Sequence, residues 1–293
     1  MIKLENDDIV ISINEMGAEL KSIFSKKNQI EYIWPGEKGS FKKSAPNLFP
    51  FIGNIKYEEI DYPYNGERKI LPMTKHGFAR DLEFQIVEKS ATKVVFQLEP
   101  NNYTKERYPY KFSLKIIYEI VENQIIHKYL VKNNDLNKMY YEIGGHTAFN
   151  CNYNNDLNIE NYYLEFDNEE VKQYVIDSEN NSFLSEKYSK VNIDKFYLSK
   201  EKFKKDAFVF EDIKLSKVKL KHLNTKHGVD FQYENLPILT LWTNLDSSEF
   251  ICLEPWAGMT DFTNNSRKVE EKNYIETLNF NEEKEYIQKI KVY

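Results

Sequence analysis

The segment KFSLKIIYEIVENQIIHKYLV, from Lys111 to Val131, decides the fold class of this chain. Up to Val121 its apolar residues occupy alternate positions, and this period of two is the pattern of a half-buried β-strand. Glu122 to Gln124 interrupts the pattern before a second apolar run begins at Ile125. Two strands joined by so short a polar break predict an antiparallel hairpin. The residues expected on the buried face of the first strand are Phe112, Leu114, Ile116, Tyr118 and Ile120.

Strand-like runs extend from this hairpin towards both ends of the chain. Aromatic residues make up 15% of the sequence, and tyrosine and phenylalanine favour strands. The best helical pattern is about one turn at Thr104–Arg107, whereas the polar stretch from Asn168 to Lys205 predicts long loops. The other expected strands are Asp8–Asn14, Glu19–Phe24, Phe84–Glu88, Val94–Leu98, Met139–Ile143, Lys217–His222, Val229–Tyr233, Ile238–Trp242, Phe250–Leu253 and Tyr286–Val292.

No linker rich in Pro, Gly or Ser, no low-complexity tract and no internal repeat divides the 293 residues. Large all-β sandwiches reach this length as one unit. We therefore predict an all-β fold, a large antiparallel β-sandwich with few short helices, formed as a single domain over residues 1–293.

Charge and hydropathy restrict the class of partner. The chain has 40 Lys and Arg against 46 Asp and Glu, a net charge of -6, whereas proteins that bind nucleic acid carry a basic surplus. Mean hydropathy is -0.64, and no apolar run is long enough to span a bilayer. The first residues, MIKLENDDIV, lack the pattern of a secretory signal. These features predict a cytoplasmic protein with neither nucleic acid nor membrane as partner, and they leave small neutral or weakly anionic ligands open.

The two cysteines, Cys151 and Cys252, form no CxxC pair and have no histidine at a familiar metal-ligand spacing. We expect two reduced thiols that pack beside the site segments in which they lie.

Three separate segments carry side chains suited to acid/base chemistry: KHGFAR around His76, GGHTAFN around His146 and CLEPWAG around Glu254. Imidazole and carboxylate groups transfer protons at neutral pH when their pKa values are suitably placed. Each segment contains glycine or proline, which sets the backbone conformation beside the functional side chain. The segments predict one pocket assembled from distant parts of the chain, with three nearby aromatic residues as walls: Phe78, Phe149 and Trp256.

His146 and Glu254 are the strongest candidates within these segments. His146 follows two glycines, which permit close approach of a ligand, although a glycine-rich turn with an exposed histidine has the same pattern. Glu254 ends an apolar run and precedes Pro255. If the alternation holds, Glu254 shares a face with Phe250 and Cys252, where burial would raise its pKa towards that of a general base. A salt-bridged glutamate at a strand end is the alternative.

The other polar candidates are less specific. Arg80 could bind a hydroxyl-rich or phosphorylated ligand through its planar guanidinium, or be tied to a core carboxylate. Asp206, in KKDAFVF, could cap a strand, and Asp261, in GMTDF, could stabilise a loop or line the pocket. Surface or structural roles are predicted for the remaining histidines, His127, His222 and His227.

Taken together, these motifs resemble those of the aldose 1-epimerase (galactose mutarotase) superfamily, in the branch that includes LacX-type proteins and is similar to hexose-6-phosphate mutarotases. The resemblance covers nearly the whole chain, and the motifs follow one another in the family's order. They are GAELKSI (Gly17–Ile23), Trp34, PNLFPFIG (Pro46–Gly53), HGFAR, YPYKF (Tyr108–Phe112), GGHTAF, KKDAFVF and LEPWAG.

The resemblance implies a galactose mutarotase-like supersandwich with a sugar pocket on a concave face, no metal and no cofactor, as a monomer or homodimer. It implies that Glu254 takes the proton of the anomeric hydroxyl as general base and that His146 protonates the ring oxygen as general acid. We expect His146 to exchange protons near the ordinary imidazole pKa of about 6.5. The residues implied to bind the sugar are Asn54, Lys75, His76, Arg80 and Asp206.

The chain departs from the family pattern around the expected sugar contacts. Asn54 stands where an arginine commonly follows the glycine, with Lys56 as a candidate substitute charge. Lys75 replaces a glutamine, and Thr147 replaces the proline after the catalytic histidine. The acid/base pair is kept, so these departures leave open which sugar is bound and whether it carries a phosphate.

Two other functions fit the same residues. Aromatic walls with Asp206 and Arg80 would suffice for a non-catalytic sugar-binding or regulatory protein. A glycoside hydrolase would need two carboxylates across the scissile bond, for which Glu254 with Asp206 or Asp261 is available. The retained acid/base pair favours an aldose 1-epimerase, an isomerase that interconverts the α and β anomers of a hexose or hexose phosphate.

Overall fold

The computed structural model describes residues 1–36, 41–153, 158–176, 183–211, 216–246 and 249–293. Antiparallel strands dominate it, which confirms the predicted all-β class with few short helices. In the described ranges no helix is long and apolar enough to cross a bilayer. Helix α1 spans Asn102–Lys105, and 3₁₀ segments span Ala79–Asp81, Ile159–Asn161, Lys200–Lys205 and Val269–Glu271.

The strands follow one another along the whole chain. Those of the first half are β1 (Ile2–Glu5), β2 (Ile9–Asn14), β3 (Glu19–Ser25), β4 (Ile30–Glu31), β5 (Asn47–Leu48), β6 (Glu59–Tyr64), β7 (Glu67–Pro72), β8 (Gln85–Lys89), β9 (Lys93–Leu98), β10 (Phe112–Val121), β11 (Gln124–Asn133), β12 (Met139–Tyr141), β13 (Ile143–Gly145) and β14 (Thr147–Asn150). Those of the second half are β15 (Tyr162–Val175), β16 (Ser189–Tyr197), β17 (Phe208–Glu211), β18 (Lys217–His222), β19 (Gly228–Glu234), β20 (Ile238–Trp242), β21 (Phe250–Ala257), β22 (Glu276–Leu278) and β23 (Glu283–Val292).

Most of these strands belong to one large sheet. Its order is β5-β13-β21-β20-β17-β15-β18-β19-β23-β11-β10-β9-β8, with β14 paired to β21 and β16 paired to β15. Smaller sheets formed by the described residues are β1-β2-β3-β4, β6-β7 and β12-β22. β21 pairs with β20 on one side and with β13 and β14 on the other. It is therefore an interior strand of the sheet.

The hairpin predicted from the opening segment is formed. β10 and β11 pair from Phe112 opposite Asn133 to Val121 opposite Gln124. The face predicted to be buried on β10 is buried, and burial alternates along β11. β9 and β23 pair with the outer edges of this hairpin. The hairpin predicted from the local sequence pattern therefore lies in the interior of the large sheet.

A cluster of aromatic rings in the core anchors the segment that carries His76. Ring centroids of Phe49, Phe78, Tyr108 and Phe112 lie between 5.1 and 6.2 Å apart. The carbonyl of Phe49 also accepts hydrogen bonds from the N–H groups of Phe78 and Ala79. Phe78 is therefore a core residue, and the prediction that it forms a pocket wall is wrong.

The prediction of long loops from Asn168 to Lys205 is wrong for much of that range. β15 continues to Val175, β16 follows, and a 3₁₀ segment covers Lys200–Lys205, whereas residues 177–182 lie outside the described part of the chain. β16 pairs with β15, and most of its side chains are exposed. A strand that buries few side chains needs few apolar residues, so its sequence lacks the alternation by which strands are recognised.

Candidate active site

A pocket of about 400 Å³ lies beside β20 and β21, within the size range of small-molecule sites. The structure brings together in it all of the residues predicted to act in catalysis or sugar binding: Asn54, Lys75, His76, Arg80, His146, Asp206 and Glu254. Further described residues in its lining are Phe41, Gly53, Ile176, Ala207, Thr240, Trp242, Trp256 and Thr260.

Glu254 lies in the middle of β21, which extends beyond the predicted end at Leu253 to Ala257. Its backbone is opposite Thr240 of β20, and its side chain is 2% exposed. Burial raises the pKa of Glu254 well above its usual range, the charge of Asp206 adds to the rise and Lys75 opposes it. In the described part of the chain no lysine or arginine forms an ion pair with this carboxyl. A salt-bridged glutamate at a strand end is therefore not what the structure contains.

His146 is placed by close backbone packing between β13 and β14. A Cβ atom at Gly144 would overlap with the indole of Trp256, and one at Gly145 would overlap with Gln288. The indole N–H of Trp256 donates to the carbonyl of Gly145 at 3.2 Å, and the N–H of His146 donates to the carbonyl of Pro46 at 3.1 Å. The two glycines thus allow Trp256 and Gln288 to pack directly against the backbone before His146. The histidine is buried rather than exposed on a turn.

His146 and Glu254 form a coupled pair, with Nε2 and Oε1 3.3 Å apart. Burial and, to a smaller extent, the charge of Arg80 lower the pKa of His146 to about 3. The expectation that His146 titrates near 6.5 is wrong, because the buried site disfavours the charged imidazolium. Burial thus shifts the two pKa values in opposite directions, and it favours the neutral form of both groups.

His76 is fixed by two hydrogen bonds to Gly53. Its N–H donates to the carbonyl of Gly53 at 2.9 Å, and the N–H of Gly53 donates to Nδ1 at 3.1 Å. His76 has a positive φ of 63°, and a Cβ at Gly77 would overlap with the carbonyl of Phe49. Burial lowers the pKa of His76 well below its usual value, and the neighbouring imidazole of His146 adds to this effect. The ring is therefore neutral and carries its proton on Nε2.

Arg80 and Lys75 place positive charge at the pocket. Nη2 of Arg80 donates to the carbonyl of Lys75 at 3.0 Å, and Nε lies 3.4 Å from a carboxylate oxygen of Asp81. Burial lowers the pKa of Arg80. The ion-pair partner of Arg80 is thus its sequence neighbour rather than a core carboxylate, and its guanidinium lines the pocket. Lys75 is exposed.

Asn54 and Asp206 line the pocket from two other turns. The N–H of Asn54 donates to Oγ1 of Thr260 at 2.9 Å. Asp206 follows the Lys200–Lys205 segment with φ of 137°. Lys56, considered as a substitute charge for the family arginine, does not line this pocket. It lies in an adjoining depression, where its ammonium donates to the carbonyl of Asn265.

Two aromatic residues in the lining were not predicted. Phe41 stacks on the imidazole of His146 with centroids 5.0 Å apart, and Trp242 meets that ring edge-on at 5.8 Å. A signal for Trp242 exists in the sequence, since Thr240 and Trp242 alternate with leucines in β20. No comparable signal marks Phe41. Of the predicted walls Trp256 is in place, whereas Phe149 packs in the core against Phe231.

Asp261 stabilises a loop and does not line the pocket. It forms a buried ion pair with Lys272 and accepts the backbone N–H of Lys56 at 2.9 Å. Of the two carboxylates considered as partners of Glu254 in a glycoside hydrolase, Asp206 is therefore the one that lines the pocket.

The remaining histidines lie outside the pocket. His127 is buried and stacks on Tyr118 at 4.3 Å. Nδ1 of His222 accepts the N–H of Asn224, and the backbone N–H of His227 donates to Thr225. These contacts agree with structural roles.

Both cysteines are buried and free, as expected from the sequence. Possible ligand atoms of His146, Cys252 and Glu254 lie within 4.8 Å of one another. Burial raises the pKa of the Cys252 thiol well above its usual value. Because the thiolate is the nucleophile and the metal ligand, burial disfavours both roles for Cys252.

Comparisons with known proteins agree with the resemblance noted in the motifs. A model of the family described as aldose 1-epimerase matches residues 1–291. The chain is 29% identical to the plasmid and chromosomal LacX proteins of Lactococcus lactis subsp. lactis, over 94% of this chain and 91% of each relative. Among solved structures, a galactose mutarotase related enzyme from Lactobacillus acidophilus matches with a TM-score of 0.93 and 25% identity, over 100% of this chain and 97% of that one. A galactose mutarotase-like protein from Lactobacillus casei matches with a TM-score of 0.91 and 26% identity, over all of both chains.

Proposed function

Since the chain belongs to the aldose 1-epimerase family and is a carbohydrate isomerase, we propose that it interconverts the α and β anomers of a hexose or hexose phosphate. The observation that carries the proposal is the buried pair His146–Glu254, whose nearest side-chain atoms lie 3.3 Å apart in the pocket. The ring oxygen and the anomeric oxygen of an aldose are both bonded to C1. Two proton-transferring groups this close to each other can therefore act on both oxygens of one bound sugar.

In the proposed reaction Glu254 is the base and His146 is the acid. The carboxylate removes the proton of the anomeric hydroxyl while the imidazolium protonates the ring oxygen, so that the C1–O bond of the ring breaks and a C1 carbonyl forms. The C1–C2 bond of the open aldehyde then rotates. On closure His146 takes back the proton from the ring-forming hydroxyl, and Glu254 returns its proton to the former carbonyl oxygen.

The protonation of the pair fits this cycle. A form with the proton on Glu254 and the reactive form, with the proton on His146, have the same total charge. Conversion between them moves one proton within the pair and takes none from solvent. Because both groups return to their starting states, one pair serves the forward and the reverse reaction.

The remaining lining residues supply the contacts that a pyranose needs. His76 offers Nε2–H as a donor, Arg80 and Lys75 offer charged donors, and Asp206 offers acceptors. Asn54 offers both kinds of group. Trp242 presents an aromatic ring towards the pocket, as apolar sugar faces require. We assign sugar binding to these residues, and we assign any anionic substituent to Lys75 and Arg80.

Anomer exchange measured by NMR or polarimetry in weak buffer tests the proposal. Pure anomers of glucose, galactose and their 6-phosphates would be compared with and without enzyme, and His146→Ala and Glu254→Gln would be measured alongside. We expect exchange above the buffer rate with the wild type and little with either variant. Wild-type rates equal to buffer for the whole panel would overturn the proposal.

Two further readouts separate the alternatives. Saturable sugar binding without exchange would indicate a binding or regulatory protein. Release of a chromogenic group from glycosides, lost in both Glu254→Gln and Asp206→Asn, would indicate a hydrolase with two carboxylates.

A further inference from the structure

A buried ion network lies behind the pocket, and the proposed proton transfers do not use it. Lys272 is 5% exposed. Because lysine is almost never buried unless it is paired, its partners are of interest. Its ammonium contacts Oδ1 of Asp261 and lies 3.6 Å from Oε1 of Glu142. One cation therefore serves two buried carboxylates.

The two carboxylates bind the backbone at both ends of one turn, residues 52–56. Oε2 of Glu142 accepts the N–H of Ile52 at 2.8 Å. Oδ2 of Asp261 accepts the N–H of Lys56 at 2.9 Å. Removal of the ammonium would leave two like charges buried close together, a state that favours protonation or movement of at least one of them. Protonation or movement would disturb these two backbone hydrogen bonds.

The turn held in this way carries residues of the pocket. Gly53 makes both hydrogen bonds that fix His76, at 2.9 and 3.1 Å. The carbonyl of Asn54 accepts the N–H of Asp261 at 3.1 Å, and a Cβ at Gly53 would overlap with Thr260. The turn and the segment around Asp261 are therefore packed without free space, and a shift in one displaces the other.

We propose that Lys272 is a positioning residue for the sugar site. By holding Glu142 and Asp261 together it fixes the turn 52–56, and through Gly53 it sets the position and hydrogen bonding of the His76 ring. The inference rests on the proposed function, in which His76 binds the substrate. Burial raises the pKa of Glu142, and Lys272 limits the rise to about 7, which agrees with a carboxylate that depends on this ammonium.

A role in positioning differs measurably from a role in stability alone. The hydrogen bonds from this network lead to the residues 52–56 that hold His76 and to the N–H of Met259, and in the described residues none of them ends on the side chain of His146 or Glu254. Loss of Lys272 should therefore weaken sugar binding more than it slows proton transfer. KM should rise while kcat changes little, and the environment of His76 Nδ1 should change.

The experiment compares the wild type with Lys272→Met and with Lys272→Met/Asp261→Asn, in which the second change removes the uncompensated charge of Asp261. Leu220→Ala is the matched control, since it destabilises the core at a residue that does not line the pocket. kcat and KM come from anomer exchange with glucose, galactose and their 6-phosphates. The ¹⁵N shift of His76 Nδ1 and the affinity for the same sugars are measured independently of turnover.

We expect KM to rise about tenfold in both Lys272 variants, kcat to stay within about threefold, and the His76 Nδ1 shift to move, with no such changes in Leu220→Ala. Folded Lys272 variants with wild-type KM and an unmoved His76 resonance would overturn the inference. If neither variant folds, the same measurements are made on Asp261→Asn, which keeps the shape of the side chain. A raised KM and a shifted His76 Nδ1 resonance are then expected, and wild-type values would overturn the inference. A wild type without anomer exchange would refute the proposed function instead, and the sugar affinity and His76 resonance would still decide on Lys272.

Discussion

Two buried carboxyl groups in this molecule have similar burial and opposite surroundings. Glu142 is 0% exposed and Glu254 is 2% exposed. Glu142 accepts backbone N–H bonds from Ile52 and Met259 and lies near the ammonium of Lys272. Oε1 of Glu254 lies 3.3 Å from Nε2 of the His146 imidazole, whose pKa burial lowers, and no lysine or arginine of the described residues forms an ion pair with it. Burial raises both pKa values, but a cation and backbone donors hold one group in a structural role, whereas the other is left able to exchange a proton.

The largest expected effect separates these two carboxyl groups by activity. Glu254→Gln removes the proposed base and should lower kcat for anomer exchange about 10³-fold, within the usual contribution of a positioned acid/base group. Glu142→Gln is the matched control, because it changes an equally buried carboxyl outside the reaction, and its kcat should stay within about tenfold of wild type. Similar losses in both variants would contradict the division of roles.

The next prediction compares the surroundings of Glu142 and Glu254 by their effect on the free energy of unfolding. Lys272→Met leaves buried carboxylates without their cation and should lower the free energy of unfolding by about 3–5 kcal/mol. Lys75→Met, at an exposed lysine near the Glu254 pair, should cost less than about 1 kcal/mol. Denaturant unfolding with both variants measures the difference. A loss below about 1 kcal/mol for Lys272→Met would mean that the network does not stabilise the fold.

The third prediction tests the electrostatics of the pair by pH. A free imidazole titrates near pH 6.5, whereas burial places the pKa of His146 at about 3. The ring of His146 should therefore stay neutral from pH 8 to pH 5, and its NMR resonances should not shift across that range. The unfolded chain binds this proton more readily, so the stability contributed by His146 is complete above pH 6.5 and is lost as the pH falls towards 3. A titration midpoint near 6.5 in the folded protein would show that the pair is more hydrated than its burial indicates.

The smallest effect concerns the thiol beside the pair. Cys252→Ala should leave kcat/KM within about twofold of wild type, because burial keeps this group as a thiol rather than a nucleophilic thiolate. Iodoacetamide should not inactivate the native enzyme either. If iodoacetamide inactivates the wild type but not the Cys252→Ala variant, the thiol of Cys252 takes part in the site.

Much of the fold was predictable because strands that are buried on one face must alternate in sequence. Lys111–Val131 shows this rule, and the hairpin predicted there is formed. β16 shows the limit of the rule, since an exposed strand is held by hydrogen bonds to β15 that leave no mark in side-chain pattern. The structure therefore contains a strand where the polar composition predicted a loop.

The site was predictable to the extent that it depends on local motifs. Local motifs with glycine or proline pointed to His76, His146 and Glu254, the family resemblance implied the other polar residues, and all of them meet in one pocket. Aromatic neighbours in sequence were a poor guide to its walls. Phe78 lies next to Gly77 but packs into the core, whereas Phe41 comes from a distant segment and stacks on His146.

By itself the sequence determined the strand pattern, the family and the kinds of side chain that meet in the pocket, because periodicity and short motifs are local properties of a chain. Only the tertiary structure decided the burial that shifts the pKa values of His146 and Glu254 and the contact of Lys272 with two carboxylates. Those properties follow from desolvation and from distances between residues far apart in the chain. The same side chain is assigned a structural role at position 142 and is proposed to be catalytic at position 254, because Lys272 lies within ion-pair distance of Glu142 whereas no lysine or arginine of the described residues forms an ion pair with Glu254.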